Sequence, residues 1–151
     1  NLVPWNFGAG SLVEALKSLA AQNKKMFAVA CDFKARGEIP PFPPEKEMHL
    51  YKIAQEAVSN GIKHGKASQV RLRLIRSPKE LVLRVQNDGL PFPAIDKLKA
   101  GAGLRIMNYR ANVIGGKFEI HTSPQDGTEV VCTLPLDEPA RPNQPRPQAG
   151  A

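Results

Sequence analysis

The 151-residue sequence has no long apolar run, only two cysteines and few aromatic residues. Because a membrane-spanning helix needs about 20 apolar residues, we expect no membrane contact from this segment. Cys31 and Cys132 lie far apart and have no companions at the spacing of metal ligands, so we expect buried, reduced thiols and a cytoplasmic location. The chain begins at Asn1 rather than at a methionine, which is typical of a fragment or a processed product, so a membrane anchor could precede it.

One tryptophan and two tyrosines offer little surface on which nucleic-acid bases could stack. The net charge is +7, but the basic residues are scattered, and only short groups such as Arg71, Arg73 and Arg76 form clusters. Arg71 and Arg73 would share one face of a strand, most simply a solvated face. We therefore expect no nucleic-acid binding, and the charge suits an anionic nucleotide or an acidic partner surface equally well.

The order of hydrophobic patterns predicts the fold class. Apolar residues at helical spacing predict helices over 11–25, 44–65 and 104–114, and alternation predicts strands over 27–33, 70–75, 81–86, 118–121 and 129–134. Ser11 and Glu14 have the spacing of a capping box. Strands joined by hairpins, with helices that can cover only one face, predict an α+β two-layer sandwich. We expect one domain over 10–136, an irregular segment over 1–9 and a disordered proline-rich tail over 137–151.

The predicted helix over 44–65 carries a row of polar residues beside its apolar stripe. Glu56, Asn60 and His64 (or Lys63) are three or four residues apart and would share one helical face. Asn60 can offer an oxygen to Mg²⁺, Glu56 can orient or deprotonate a water, and Lys63 can balance phosphate charge. From spacing alone, a solvated helix face remains the simpler interpretation.

Gly101 and Gly103 stand between a predicted loop over 87–102 and the last helix. Glycines allow the backbone to approach a ligand, and the free amides of a helix N-terminus favour anions. A flexible loop end is the alternative. The glycines and the polar row together indicate a phosphate site better than either does alone.

These residues also carry a family resemblance over His49–Pro135. The stretch 49–65 resembles the asparagine box of the ATP-binding catalytic domain of sensor histidine kinases, and 103–111 resembles the second glycine box of their nitrate-sensor-like subfamily. Residues 127–135 resemble the closing strand. The wider superfamily includes gyrase, the heat-shock chaperone ATPases and the mismatch-repair ATPases.

The resemblance implies a Bergerat-type fold, with a mixed sheet covered by helices on one face and a mobile lid over 87–101. It also implies ATP and Mg²⁺ as cofactors. It places Asn60 at the metal-ligand position and gives Glu56 the position that activates water in the hydrolysing relatives. The remaining implied nucleotide-binding positions are Lys63, His64, Asn87, Gly89, Gly101, Gly103, Leu104 and Thr128.

The first glycine box departs from the family pattern. Asn87 replaces the aspartate that binds the adenine amino group, and Pro91 replaces the last glycine and removes an amide donor. Losing a charge-assisted bond weakens binding by about 1.5–3 kcal/mol. Asp88 could take over only through a one-residue shift, which would point its side chain the other way.

The resemblance implies two macromolecular partners: a helical dimerisation domain that carries the phosphoacceptor histidine, and a response regulator. The primary hypothesis is therefore a domain that binds Mg-ATP and donates the γ-phosphate to a histidine on that separate domain. The alternative is a degenerate, non-catalytic module used for protein-protein interaction or allosteric sensing. An independent ATPase of the chaperone or gyrase class is disfavoured by the small size of the chain and the kinase-like second glycine box.

Overall fold

The structure is a computed structural model that describes residues 6–91 and 97–137. It contains three α-helices, α1 (Leu12–Phe27), α2 (Pro44–Ser59) and α3 (Lys97–Val113), and α2 continues into a π-helical turn over Asn60–His64. The strands are β1 (Ala30–Arg36), β2 (Gln69–Arg76), β3 (Glu80–Asn87), β4 (Lys117–Ser123) and β5 (Gly127–Pro135). The predicted N-terminal segment and proline-rich tail lie mostly outside the described residues.

The five strands form one mixed sheet in the order β1-β2-β3-β5-β4. β1 runs parallel to β2, and every other neighbouring pair is antiparallel. Alternation on β2 and β3 buries one side chain in two, so the helices pack on one face and leave the other open. The predicted α+β two-layer sandwich is therefore confirmed.

The helices cover the sheet with the apolar stripes that the sequence predicts. Leu16 of α1, Ile53 of α2 and Met107 of α3 are completely buried, against Leu72 and Leu83 of the sheet. No helix within the described ranges is both long and apolar enough to cross a membrane.

Two local predictions at the N-terminal end are wrong. The predicted strand over 27–33 starts three residues late, because α1 runs on to Phe27 and Ala28 then takes a left-handed conformation, φ 52°. The predicted capping box does not form, since the Ser11 hydroxyl donates to Glu47 at 3.0 Å and Glu14 pairs with Lys17. Glu47 is fully buried and also accepts the Gly8 amide, so this carboxylate fixes the start of α1.

The predicted loop over 87–102 is also wrong in its second half. Helix α3 begins at Lys97, seven residues before the predicted start, and includes both Gly101 and Gly103. The glycines therefore do not provide the free amides of a helix N-terminus. Residues 92–96 of the predicted lid lie outside the described residues.

Candidate functional site

The polar row of α2 ends where the helix changes its pitch. Glu56 lies in the last regular turn, and Asn60 opens the π-helical turn that ends at His64. Such turns are rare and occur frequently at functional sites. Here the turn makes Asn60 and Gly61, which are adjacent in sequence, contact two different parts of the structure.

Asn60 and Glu56 lie against helix α3 at Gly103. A β-carbon built on Gly103 would overlap Glu56 Oε1 and stand 3.2 Å from Asn60 Nδ2. The α3 backbone approaches the two side chains this closely because residue 103 has none. The asparagine-box and glycine-box residues, 43 or more positions apart, are therefore in one place.

Gly61 faces the end of β3. A β-carbon on Gly61 would stand 2.9 Å from Asn87 Nδ2, so the missing side chain makes room for the Asn87 amide. Asn87 is buried, and its Oδ1 accepts the Gly89 backbone N–H at 2.9 Å. That bond fixes the orientation of the amide, because the Gly89 N–H must face an acceptor. The other side-chain atom, Nδ2, is a donor and points toward Gly61.

Thr128 is the cross-strand partner of Asn87, on β5. It is buried, and its hydroxyl oxygen has no hydrogen-bond partner within the described residues. Because buried polar atoms are normally paired, an unpaired hydroxyl beside another buried polar group fits a site that a ligand or its bound water completes.

Asp88 has a structural role instead of substituting for Asn87. Its carboxylate accepts the Ser68 amide at 2.8 Å, the Ser68 hydroxyl at 2.6 Å and the Gln69 amide at 2.9 Å. Partial burial acts to raise the pKa of Asp88, but these hydrogen bonds outweigh it and lower the pKa below its ordinary value. The Asp88 side chain thus holds the connection between the π-helical turn and β2 by hydrogen bonds.

The other predicted site residues differ in their exposure and in what they contact. Lys63 is exposed and, together with Glu56, lines a cleft of about 260 Å³ between α1 and α2. His64 is half-buried, and Leu104 packs against the core. Gly101 has no described atom outside its own helix within 4 Å of a built β-carbon.

Gly89 allows a second close approach. A β-carbon on it would overlap the Gly65 carbonyl, and the next residue, Leu90, donates its backbone N–H to that carbonyl at 2.7 Å. The turn after β3 is therefore held directly against the end of the π-helical turn.

Sequence reasoning missed two features of the site. Gly61 was not singled out, although a glycine inside a predicted helix costs about 1 kcal/mol and so indicates close packing. The contact of His49 with Arg110, whose Nη1 lies 3.1 Å from His49 Nδ1, links α2 to α3 across 61 positions, and no local pattern predicts it.

Comparisons with known proteins agree with this geometry. Residues 45–138 match the family described as histidine kinase-, DNA gyrase B-, and HSP90-like ATPase. The sensor protein VraS of Staphylococcus saprophyticus is 35% identical over 130 residues, which cover 85% of this chain and 36% of VraS. The histidine-protein kinase/phosphatase DegS of Brevibacillus brevis is 30% identical over 83% of this chain and 32% of DegS. The chain thus spans about a third of the length of these relatives.

Solved structures show the same fold. The ATP-binding domain of PrrB from Mycobacterium tuberculosis aligns with a TM-score of 0.62 at 20% identity, covering 85% of this chain and 95% of that domain. The histidine kinase AdeS of Acinetobacter baumannii aligns with a TM-score of 0.64 at 11% identity, over 87% of this chain and 66% of AdeS. The chain belongs to the histidine kinase-, DNA gyrase B- and HSP90-like ATPase family, as an ATP-binding domain of the sensor histidine kinase type.

Proposed function

We propose that this domain binds Mg-ATP and donates its γ-phosphate to a histidine on a separate helical dimerisation domain, in two-component signal transduction. The observation that carries the proposal is the junction at Asn60–Gly61. Asn60 meets the glycine box of α3, and Gly61 meets Asn87, whose cross-strand partner is the buried Thr128. One continuous site can therefore take a phosphate-metal group at one end and a base at the other.

At the phosphate end, Asn60 offers its side-chain oxygen to the Mg²⁺ of the substrate, which needs few protein ligands when phosphates supply the others. Lys63 and His64 add positive or hydrogen-bonding groups near the phosphates. Gly101, Gly103 and Leu104 let the α3 backbone pass close to the phosphate tail. Glu56 lies beside Asn60 and orients the attacking group, so catalysis is positioning and charge neutralisation.

At the base end, Asn87 and Thr128 form the buried polar floor, and Gly89 holds the turn that fixes the Asn87 amide. The Thr128 hydroxyl, which has no hydrogen-bond partner among the described residues, is well placed to hold a water against the base. Together these residues bind and orient ATP and exclude bulk water from the base.

The phosphoacceptor must come from outside the chain. The three histidines lie in α2 (His49), in the π-helical turn (His64) and on β4 (His121), and none belongs to a dimerising helix. We infer a helical dimerisation domain, of the same or a partner kinase, and a response regulator as partners. We also infer a cytoplasmic location for this segment, without contact with nucleic acid or membrane.

A second candidate is a non-catalytic module that keeps the fold for interaction or sensing. The orientation of Asn87 favours it, because Nδ2 is a donor and cannot accept a hydrogen bond from the amino group of adenine. Pro91, which lacks an amide donor, favours it as well.

Calorimetric titration with a non-hydrolysable ATP analogue, with and without Mg²⁺, tests the proposal. We expect saturable, Mg²⁺-dependent binding that tightens about tenfold in Asn87→Asp, because a carboxylate oxygen would replace Nδ2 and accept a charge-assisted bond. Asn112→Asp, an exposed position on α3, provides the same change in charge away from the site. Absence of binding at about millimolar analogue, in both the parent and Asn87→Asp, would favour the non-catalytic module.

A further inference from the structure

The sheet face that the helices leave open carries a row of cations across β1, β2 and β3. Lys34 pairs in register with Arg73, and Arg73 pairs in register with Arg84, so three positive charges stand side by side on adjacent strands. Arg71 lies on the same face, two residues from Arg73. Like charges directly opposite each other destabilise a sheet, so the fold alone gives no reason for this row.

Only part of this charge is neutralised within the described chain. Arg73 forms an ion pair with Asp32 at 2.9 Å, and Arg84 lies 3.6 Å from Glu129. Lys34 and Arg71 are exposed and form no ion pair with any described residue. The four cations line a shallow concavity of about 430 Å³, which is therefore net positive.

Beside the cations lies an apolar strip. Ile75 and Val82 are register partners on the open face and are only half-buried. Arginines next to apolar side chains are typical of protein interfaces, where arginine is enriched.

We propose that this open face, centred on Lys34, Arg71, Arg73 and Arg84, docks an acidic surface of a partner protein. Nucleic acid fits less well, because the open-face positions of β1–β3 carry no aromatic side chain and Asp32 and Glu129 would repel phosphates. A second copy of the chain, at +7, and residues 138–151, with two arginines and one glutamate, have the wrong sign of charge. The surface goes beyond the proposed function, since it lies across the sheet from the nucleotide site.

Fluorescence anisotropy with a labelled acidic peptide, mostly glutamate with isolated leucines, tests the proposal. The double variant Lys34→Gln/Arg71→Gln removes two charges that have no ion pair in the described chain. Lys24→Gln/Lys25→Gln, on exposed positions of α1, removes the same charge elsewhere. We expect the face variant to bind the peptide about fivefold more weakly or worse, the control to bind it as the parent does, and added salt to weaken binding.

Three results would overturn the proposal: no binding of the peptide at low salt, an equal loss in both double variants, or tighter, face-dependent binding of an oligothymidylate of similar charge. The last result would assign the face to nucleic acid. Thermal unfolding of both variants shows that they are folded without relying on nucleotide binding, and so separates this result from any failure of the proposed function.

Discussion

Thr128 carries a buried hydroxyl that no described residue satisfies, and this predicts opposite effects on stability and on binding. In Thr128→Val a methyl group replaces the unpaired hydroxyl. Because an unsatisfied buried polar group costs about 1–3 kcal/mol, we expect the free energy of unfolding of the free domain to rise by about 1 kcal/mol. We expect affinity for the ATP analogue to fall about threefold to tenfold, because the hydroxyl no longer holds a water against the base.

Chemical denaturation and calorimetry measure the two effects separately. Thr133→Val is the matched control, since Thr133 lies on the same strand but on the open face and is half-buried. Unchanged nucleotide affinity in Thr128→Val would remove this hydroxyl from the proposed site.

At the scale of single residues, the sequence predicts which residues lie near one another better than it predicts how their side chains point. Asn60, Glu56 and Thr128 were identified as candidates, and the structure places each of them at the junction or beside Asn87. The direction of the Asn87 amide was beyond prediction, because it depends on the Gly89 N–H that folds back onto it. The role of Asp88 was equally hidden, since its partners Ser68 and Gln69 are 20 and 19 residues away.

At the scale of elements, we expect alanine substitutions at two glycines of helix α3 to have different effects on stability. In Gly103→Ala the new β-carbon would displace the ends of the Glu56 and Asn60 side chains. Because such ends can move aside, we expect little net change in stability and weaker nucleotide binding. In Gly101→Ala the new carbon meets no described atom outside α3, so we expect a gain of about 0.5–1 kcal/mol from helix propensity.

Thermal unfolding without nucleotide distinguishes these variants. An equal gain of stability in both alanine variants would contradict the packing of α3 on α2 at Gly103. If Gly101→Ala is more stable but binds the ATP analogue less tightly, as we expect from its proposed place near the phosphate tail, residue 101 contributes to binding and not to packing.

The contact between α2 and α3 also predicts a pH dependence. Burial lowers the pKa of His49 below its ordinary value, and the neighbouring Arg110 guanidinium lowers it further, while Glu45 partly opposes the shift. The unfolded chain therefore takes up the proton first as the pH falls. The stability contributed by neutral His49 is complete above the unfolded pKa of 6.5 and is lost as the pH falls toward the folded value.

We expect the free energy of unfolding to decrease between about pH 7.5 and 5.5, and His49→Gln to flatten that decrease. Glutamine keeps an acceptor for Arg110 but does not titrate. His121→Gln, on an exposed position of β4, serves as the control and should keep the slope. An unchanged slope in His49→Gln would contradict this assignment.

Predictions for elements succeeded where the sequence pattern is amphipathic and failed where tertiary contacts decide. The stripe of α2 and the alternation of β2 and β3 predict the strands and the helical layer, and the family resemblance implies the mixed sheet. The early start of α3 was missed because Gly101 and Gly103 have low helix propensity and suggested a loop. In the structure Gly103 lies against Glu56, a contact between distant residues that local propensity does not report.

At the scale of the whole molecule, the two cysteines lie in separate parts of one core. Cys31 lies on the edge strand β1 and Cys132 on β5, three strands away in the sheet, and both belong to the core cluster. Burial raises the pKa of each thiol to about 11, with a further contribution from Asp32 at Cys31. At about pH 8 roughly one thiol in a thousand is a thiolate, so the native protein should react very slowly with thiol reagents.

If the domain unfolds as one cooperative unit, both thiols become reactive in the same event. Cys31→Ala and Cys132→Ala each keep one thiol. We expect that thiol to react faster than in the parent only to the extent that the substitution lowers the free energy of unfolding. Mg-ATP at about a hundred times its Kd stabilises the native state by about 2.7 kcal/mol. If unfolding is in fast equilibrium, the reactions of both thiols with the reagent should therefore slow about a hundredfold. A Cys31 that reacts quickly and that nucleotide does not protect would show that β1 opens independently of the sheet that carries the site.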